Sequence, residues 1–168
     1  MDLTAAPPAG AAAAPAPPRF ALLAVDGVEY AVESAWVRRT LPAAGPLPAD
    51  VSHAGAAFPV VDLRQLFGLA AAGNGTAAGE RLLLLVERPA GAEPAGGAPC
   101  RLALVVDDLL GIEPLAAGVA VPLPAVYRGP ERRWFEGLLP RAGGRITVLL
   151  RLDGLSPLPR ARQGAGGC

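Results

Sequence analysis

The side chains best suited to chemistry sit at the ends of two apolar runs. Asp62 closes Phe58-Pro59-Val60-Val61-Asp62 and is followed by Leu63-Arg64-Gln65-Leu66-Phe67-Gly68-Leu69; Asp107 and Asp108 close Leu104-Val105-Val106 and lead into Leu109-Leu110-Gly111-Ile112. Adjacent carboxylates are the raw material of general acid–base catalysis or of an oxygen-donor cation site. Either use needs further donors or titratable partners nearby. The sequence supplies none beside Asp107 and Asp108, which read as turn or strand-end acids. Asp62, with Gln65 three positions on, has the spacing of a helix N-cap and capping box. His53 is the single histidine. A ligand or proton switch would need partners, and alone it reads as a loop residue. The two cysteines, Cys100 and Cys168, lack metal-ligand spacing and form no disulfide framework, which fits a reducing cytoplasm. No Ser or Cys stands in a nucleophile motif, and the glycines occur with Ala and Pro rather than in a phosphate-loop pattern. No catalytic residue, metal site or cofactor is expected.

The elements that carry these residues must be built from small side chains. Of 168 residues, 52% are hydrophobic but only 5% aromatic, so the core draws on Ala, Val and Leu. That length suits one domain, or one domain of two small lobes. All fifteen basic residues are arginine and fifteen acids balance them, so a nucleic-acid footprint over the whole chain is not expected. No apolar run approaches the roughly 20 residues of a membrane helix, and direct membrane insertion is not expected. Residues 1–18 are Ala/Pro-rich without a basic start; they read as disordered rather than as a signal peptide. The ordered domain is expected over residues 19–160, with a flexible tail over 161–168.

Phe20 to Val25 and Val28 to Val32 flank the turn pair Asp26-Gly27, the strongest hairpin signal in the chain. Glu33 to Leu41 suits either a strand or a short helix, and Pro42 to Pro48 reads as a connection. Phe58 to Val61 is a buried strand; Asp62 then caps a short helix with Leu63, Leu66 and Phe67 on its apolar side, ended by Gly68. Leu82 to Val86 and Arg101 to Val106 pair as a hairpin with a long tip. Ala70 to Gly79 and Pro89 to Pro99 read as loops. Gly111 to Leu115 is a further strand and Val121 to Pro124 is extended. Phe135 to Leu139 pairs with Arg145 to Leu152, and Leu155 to Arg162 reads as a short terminal helix weakened by its prolines. Many short strands with frequent turns give an all-β class built on small barrels. Val60, Val61, Leu84, Val105 and Leu149 are expected inside. The Val-Val-Asp echo hints at two similar halves.

These segments, in this order, resemble the CheW-like domain, the adaptor module of bacterial chemosensory arrays. The resemblance runs through Asp26-Gly27 and Glu29-Tyr30-Ala31-Val32. It continues in Pro59-Val60-Val61-Asp62-Leu63-Arg64 and in Val105-Val106-Asp107 with Gly111-Ile112, and it closes on Gly137-Leu138, Ile146 to Leu150 and Leu152-Asp153. It implies two small five-stranded β-barrels packed together, with short helices, around a shared apolar seam. It also implies a non-catalytic cytoplasmic adaptor that binds a CheA-type histidine kinase and the chemoreceptor cytoplasmic tip. By alignment, Trp36, Val37, Arg39 and Leu41 fall on the kinase-binding strand; core packing for Trp36 and solvation for Arg39 are the competing readings. Ala54 and Gly55 stand where the family usually carries Arg-Gly, associated with receptor contact. Leu82 and Leu84 fall on the receptor-facing strand, with buried core as the competing reading.

The departures lie at contact positions. Ala54 replaces the usual Arg, and the stretch Pro48 to Gly55 is shorter than the family's. Arg39, beside Arg38, stands where an acid is frequent, and Arg151 stands where an Asp is expected. Losing an arginine removes a planar five-donor fork that alanine cannot imitate. Two alternatives follow. One is a CheW-like protein that binds the kinase but not receptors and limits or spaces the array. The other, more remote, is a small enzyme on a barrel scaffold.

Overall fold

The computed structural model describes residues 17–69, 81–91, 99–114, 120–125 and 129–155. Two five-stranded sheets account for most of them. β1 (Arg19–Val25) and β2 (Val28–Glu33) form the first hairpin. A 3-10 turn, Ser34–Trp36, leads into β3 (Val37–Ala43), followed by β4 (Asp50–His53) and β5 (Ala56–Asp62). After α1 (Leu63–Leu66) come β6 (Arg81–Arg88), β7 (Cys100–Val106) and β8 (Asp108–Pro114). The 3-10 segment Pro130–Trp134 then precedes β9 (Phe135–Pro140), β10 (Ile146–Leu150) and α2 (Leu152–Leu155).

The first sheet has the order β8-β1-β2-β10-β9 and the second β3-β6-β7-β5-β4. The second lobe is therefore inserted into the first, between β2 and β8. All eight candidate contact residues belong to this inserted lobe or to the turn that enters it.

Period-two side-chain alternation explains the long apolar runs. Leu84, Val86, Leu102, Leu104 and Val106 face one cluster together with Leu23, Val25, Val32 and Leu150 of the other lobe. This cluster is the seam between the sheets. The intervening residues Leu83, Leu85, Ala103 and Val105 face a second cluster with Phe58, inside the inserted lobe. Phe20, Leu22, Ala31, Leu139 and Leu149 fill the opposite side of the first sheet. Strands buried on both faces lose the apolar–polar alternation, which is why β6 and β7 read as continuous runs. Val60 is only half-buried, packed at the margin of the Phe58 cluster.

Several sequence expectations change here. Residues Asp50 to His53 form a strand, so His53 is not a loop residue; its ring meets Phe58 edge-on at 6.2 Å. The Glu33–Leu41 ambiguity resolves as a 3-10 turn followed by strand. β3 extends through Pro42 to Ala43, tolerable because β3 is an edge strand. The Val-Val-Asp echo does not mark two halves: β5 and β7 are parallel neighbours in one sheet, with Asp62 in register with Val105. The short helix after β10 is Leu152–Leu155, which runs from the last residue of the expected strand to the first residue of the expected terminal helix. Residues 156–162 of the expected terminal helix, the 1–16 and 161–168 segments, and most of the two expected loops lie outside the described residues.

α2 is held against the 3-10 segment by close backbone contact. The Arg151 N–H donates to the Trp134 carbonyl at 2.8 Å. A Cβ on Gly154 would lie 1.8 Å from the Arg133 carbonyl oxygen. Gly154→Ala is thus expected to push α2 off this segment and destabilise the fold by about 1–3 kcal/mol, as overpacking does. A chemical melt would read it; an unchanged midpoint would mean that α2 is not seated there.

Candidate functional site

The kinase-side candidates line an edge. Trp36 and Val37 are half-buried against the seam cluster, and Leu41 is half-buried against the Phe58 cluster. Val37 pairs with Val86, Arg39 with Leu85 and Leu41 with Leu83, with a register shift between Val37 and Arg39. That irregularity twists the edge. Arg38 is drawn to Glu87 at 3.2 Å, which also takes Arg101 at 2.7 Å. Those arginine contacts hold the Glu87 carboxyl below its usual range. Arg39 is exposed and makes no ion pair among the described residues. The strip therefore combines a partly covered Trp–Val–Leu surface with one unmatched guanidinium beside an unpaired strand edge, chemistry suited to protein contact.

The receptor-side candidates divide. Ala54 and Gly55 are the two-residue turn joining β4 to β5, with φ of +49° and +77°. Two successive positive φ values are the signature of the turn that matches strand twist, normally written Asn-Gly or Asp-Gly. Leu82 is half-buried beside the seam. Leu84 is fully buried, so it offers no surface to a partner in this fold. Because β3 and β4 are opposite edges of one sheet, the Ala54–Gly55 tip lies across the sheet from the Trp36–Leu41 strip.

Between the lobes stands a group of charges that sequence reasoning treated only as separate cap and turn acids. The Arg64 guanidinium grips Asp107 with two bonds, at 2.7 and 2.8 Å, and reaches Asp26 at 3.1 Å. The Asp26 N–H donates to Asp107 at 2.7 Å, and the Asp107 N–H donates to the Ala24 carbonyl at 2.9 Å. The first hairpin of one lobe is thereby tied to β7 and α1 of the other. The Arg64 bonds, helped by the Asp26 N–H, hold Asp107 below the usual carboxylate range against the opposing effect of burial. Asp62 caps α1 by accepting from the Arg64 and Gln65 N–H groups, while its other oxygen takes Arg81 at 2.8 Å. A second tie joins buried Arg88 of β6 to Asp153 of α2.

A third network lies within the first lobe. Glu29 accepts from Thr147 and Arg141, and Arg141 also meets Glu113. Burial pushes the Glu29 carboxyl up, but the Thr147 and Arg141 bonds and the charges of Arg141 and Arg145 outweigh it and hold it low. Burial raises the Cys100 thiol, the opposite of what an activated nucleophile needs. Among the described residues no three His, Cys, Asp or Glu side chains converge as metal donors. Among the described residues no helix is long and apolar enough to cross a membrane.

No protein-family model matches the chain, and no curated protein matches it. Among solved structures it is similar to the scaffolding protein TtCheW from Thermoanaerobacter tengcongensis. The TM-score is 0.63 at 16% identity, over 85% of this chain and 94% of that one. At this identity the likeness shows the fold: a CheW-like arrangement of two β-sheet lobes.

Proposed function

We propose that the chain is a non-catalytic chemosensory adaptor that works in the cytoplasm, at chemosensory arrays, by coupling receptors to a CheA-type histidine kinase. The observation that carries this reading is the two-lobed β fold, similar to that of a scaffolding protein over 94% of that protein's length. The carboxylates that invited a catalytic reading are engaged otherwise: Asp62 caps a helix and Asp107 clamps the lobes. The kinase is assigned to the β3 edge, through Trp36, Val37, Arg39 and Leu41. The receptor tip is assigned to the Ala54–Gly55 turn with Leu82. Leu84 is removed from the contact set because it is core.

Val37→Glu tests the kinase assignment. Placing a charge in a half-buried apolar contact costs on the order of a few kcal/mol of binding through desolvation. Affinity for the regulatory domain of the host's CheA-type kinase should fall about a hundredfold, since 1.4 kcal/mol is tenfold. Circular dichroism should stay native. Unchanged kinase affinity in the folded variant would move the contact away from β3.

A second reading, a kinase binder that does not engage receptors, is favoured by Ala54. A methyl at the turn offers no fork for a receptor carboxylate, and the short two-residue turn limits its reach. Ala54→Arg keeps a non-glycine residue at the same positive φ, so it tests contact without adding backbone strain. Ala54→Asn supplies the residue such a turn prefers and should stabilise the fold by about 0.5–1 kcal/mol. A gain in receptor-tip affinity with Arg but not Asn supports the weakened-receptor reading. Wild-type receptor binding already as strong as the Arg variant's refutes it.

A further inference from the structure

Arginines elsewhere in the fold, such as Arg64, Arg88 and Arg141, are matched to carboxylates. Arg132, Arg133 and Arg151 are not: all three are exposed, none forms an ion pair among the described residues, and all three line one cleft. The cleft has a volume of about 580 Å³ and is lined by residues of the first lobe, not by those of the inserted lobe that carries the kinase and receptor candidates, although Phe135 meets Phe67 of that lobe at 5.5 Å. Its floor carries Leu123 and Phe135; Pro122 and Pro130 stand at its rim, and Glu136 is its one acid.

The arginines sit on fixed backbone. Pro130 starts the 3-10 segment, and the Arg132 N–H donates back to Gly129 at 3.1 Å. The Arg133 guanidinium lies 5.8 Å from the centroid of the Trp134 ring, which biases its direction. Arg151 is anchored through its N–H to Trp134, and the Gly154 contact locks α2 behind it. Three guanidiniums with bases this well defined lose less freedom on binding than mobile side chains would.

We infer that this cleft docks an acidic peptide segment of a protein partner, one that alternates carboxylate and apolar side chains. Three arginines against Glu136, with the Glu131 carboxylate lying over Gly129 at the margin, still give the cleft more positive than negative side chains in a chain whose formal net charge is zero. Guanidiniums receive carboxylates in paired bonds, while Leu123 and Phe135 accept an aliphatic side chain between them. Exposed Pro122, Pro130 and Glu136 make the site an open trench, covering one side of an extended segment rather than enclosing a small molecule. The acid in the wall disfavours a polyphosphate strand.

The probe is a short fluorescein-labelled peptide alternating Glu and Leu, titrated into the full chain and followed by anisotropy. Its Lys/Leu counterpart, inorganic phosphate and a single-stranded oligonucleotide are the comparison arms. Saturable binding of the acidic peptide is expected, weakening steeply with salt as exposed charge pairs do. The triple variant R132S/R133S/R151S should lose at least tenfold in affinity, whereas Val37→Glu should lose none. Amide shifts in the wild-type protein, which do not depend on any variant folding, should concentrate at Arg132, Arg133, Phe135 and Arg151. Shifts centred elsewhere, tighter binding of the oligonucleotide or phosphate, or equal binding by a folded triple variant would each overturn the assignment.

Discussion

Leu84→Ala is expected to cost about 2–5 kcal/mol of stability, the range for truncating a fully buried leucine in a core that cannot collapse around the cavity. The loss should be at the high end. Leu84 lies at the centre of the seam, between Thr40 on β3 and Leu104 on β7, where two rigid sheets meet. Neither sheet can close the gap without opening its own packing. A receptor-contact role would predict the reverse, a native melting curve with weakened receptor binding. A urea melt of the variant separates the two: a midpoint shift with unchanged slope fits the core role, and an unshifted midpoint does not.

The next largest effect is assigned to Asp107. Asp107→Ala removes both bonds to Arg64 and the acceptor of the Asp26 N–H. Arg64 keeps its contact with Asp26, but its guanidinium loses its paired acceptor while its side chain stays 18% exposed. The cost should be about 2–3 kcal/mol, below that of a fully enclosed pair because Asp107 retains 26% exposure. For a chain of this size that lowers Tm by roughly 5–10 °C. A cycle with Arg64→Ala should return a coupling of about 1–3 kcal/mol; no coupling would mean that the lobes are held by the seam alone. The pH dependence has a defined sign. Because the Asp107 carboxyl is depressed in the folded protein, its contribution is fully present above about pH 4, near the unfolded value, and is lost as pH falls through the folded one. Glu29 acts in the same direction. Acid melts should therefore be shallower with pH in Asp107→Asn than in wild type.

What the sequence disclosed and what it hid follow from the range of the forces involved. The first hairpin was legible because Asp26-Gly27 is a local turn signal, and the α1 cap because Asp62 reaches N–H groups only two and three residues on. The β6–β7 pairing was legible as apolar runs of matched length. β4 was not: Asp50-Val51-Ser52-His53 has one inward apolar residue, and Ala54-Gly55 hides a turn usually marked by Asn or Asp. The clamp of Asp26, Arg64 and Asp107 joins residues distant in sequence, and no local pattern announces such a contact. Asp107 and Arg64 were read inside the motifs that carry them, but their partnership appears only once β7 and the first hairpin are side by side. The arginine cleft was hidden for the same reason, since Arg151 reaches Arg132 and Arg133 only through the seating of α2.

The most direct test of the adaptor reading is a side-by-side titration of the purified chain with the regulatory domain of the host's CheA-type kinase and with a receptor cytoplasmic tip, by calorimetry. The account predicts saturable kinase binding that Val37→Glu weakens about a hundredfold without unfolding, and weaker receptor binding that Ala54→Arg strengthens. A fully folded wild-type protein that binds neither partner would contradict it.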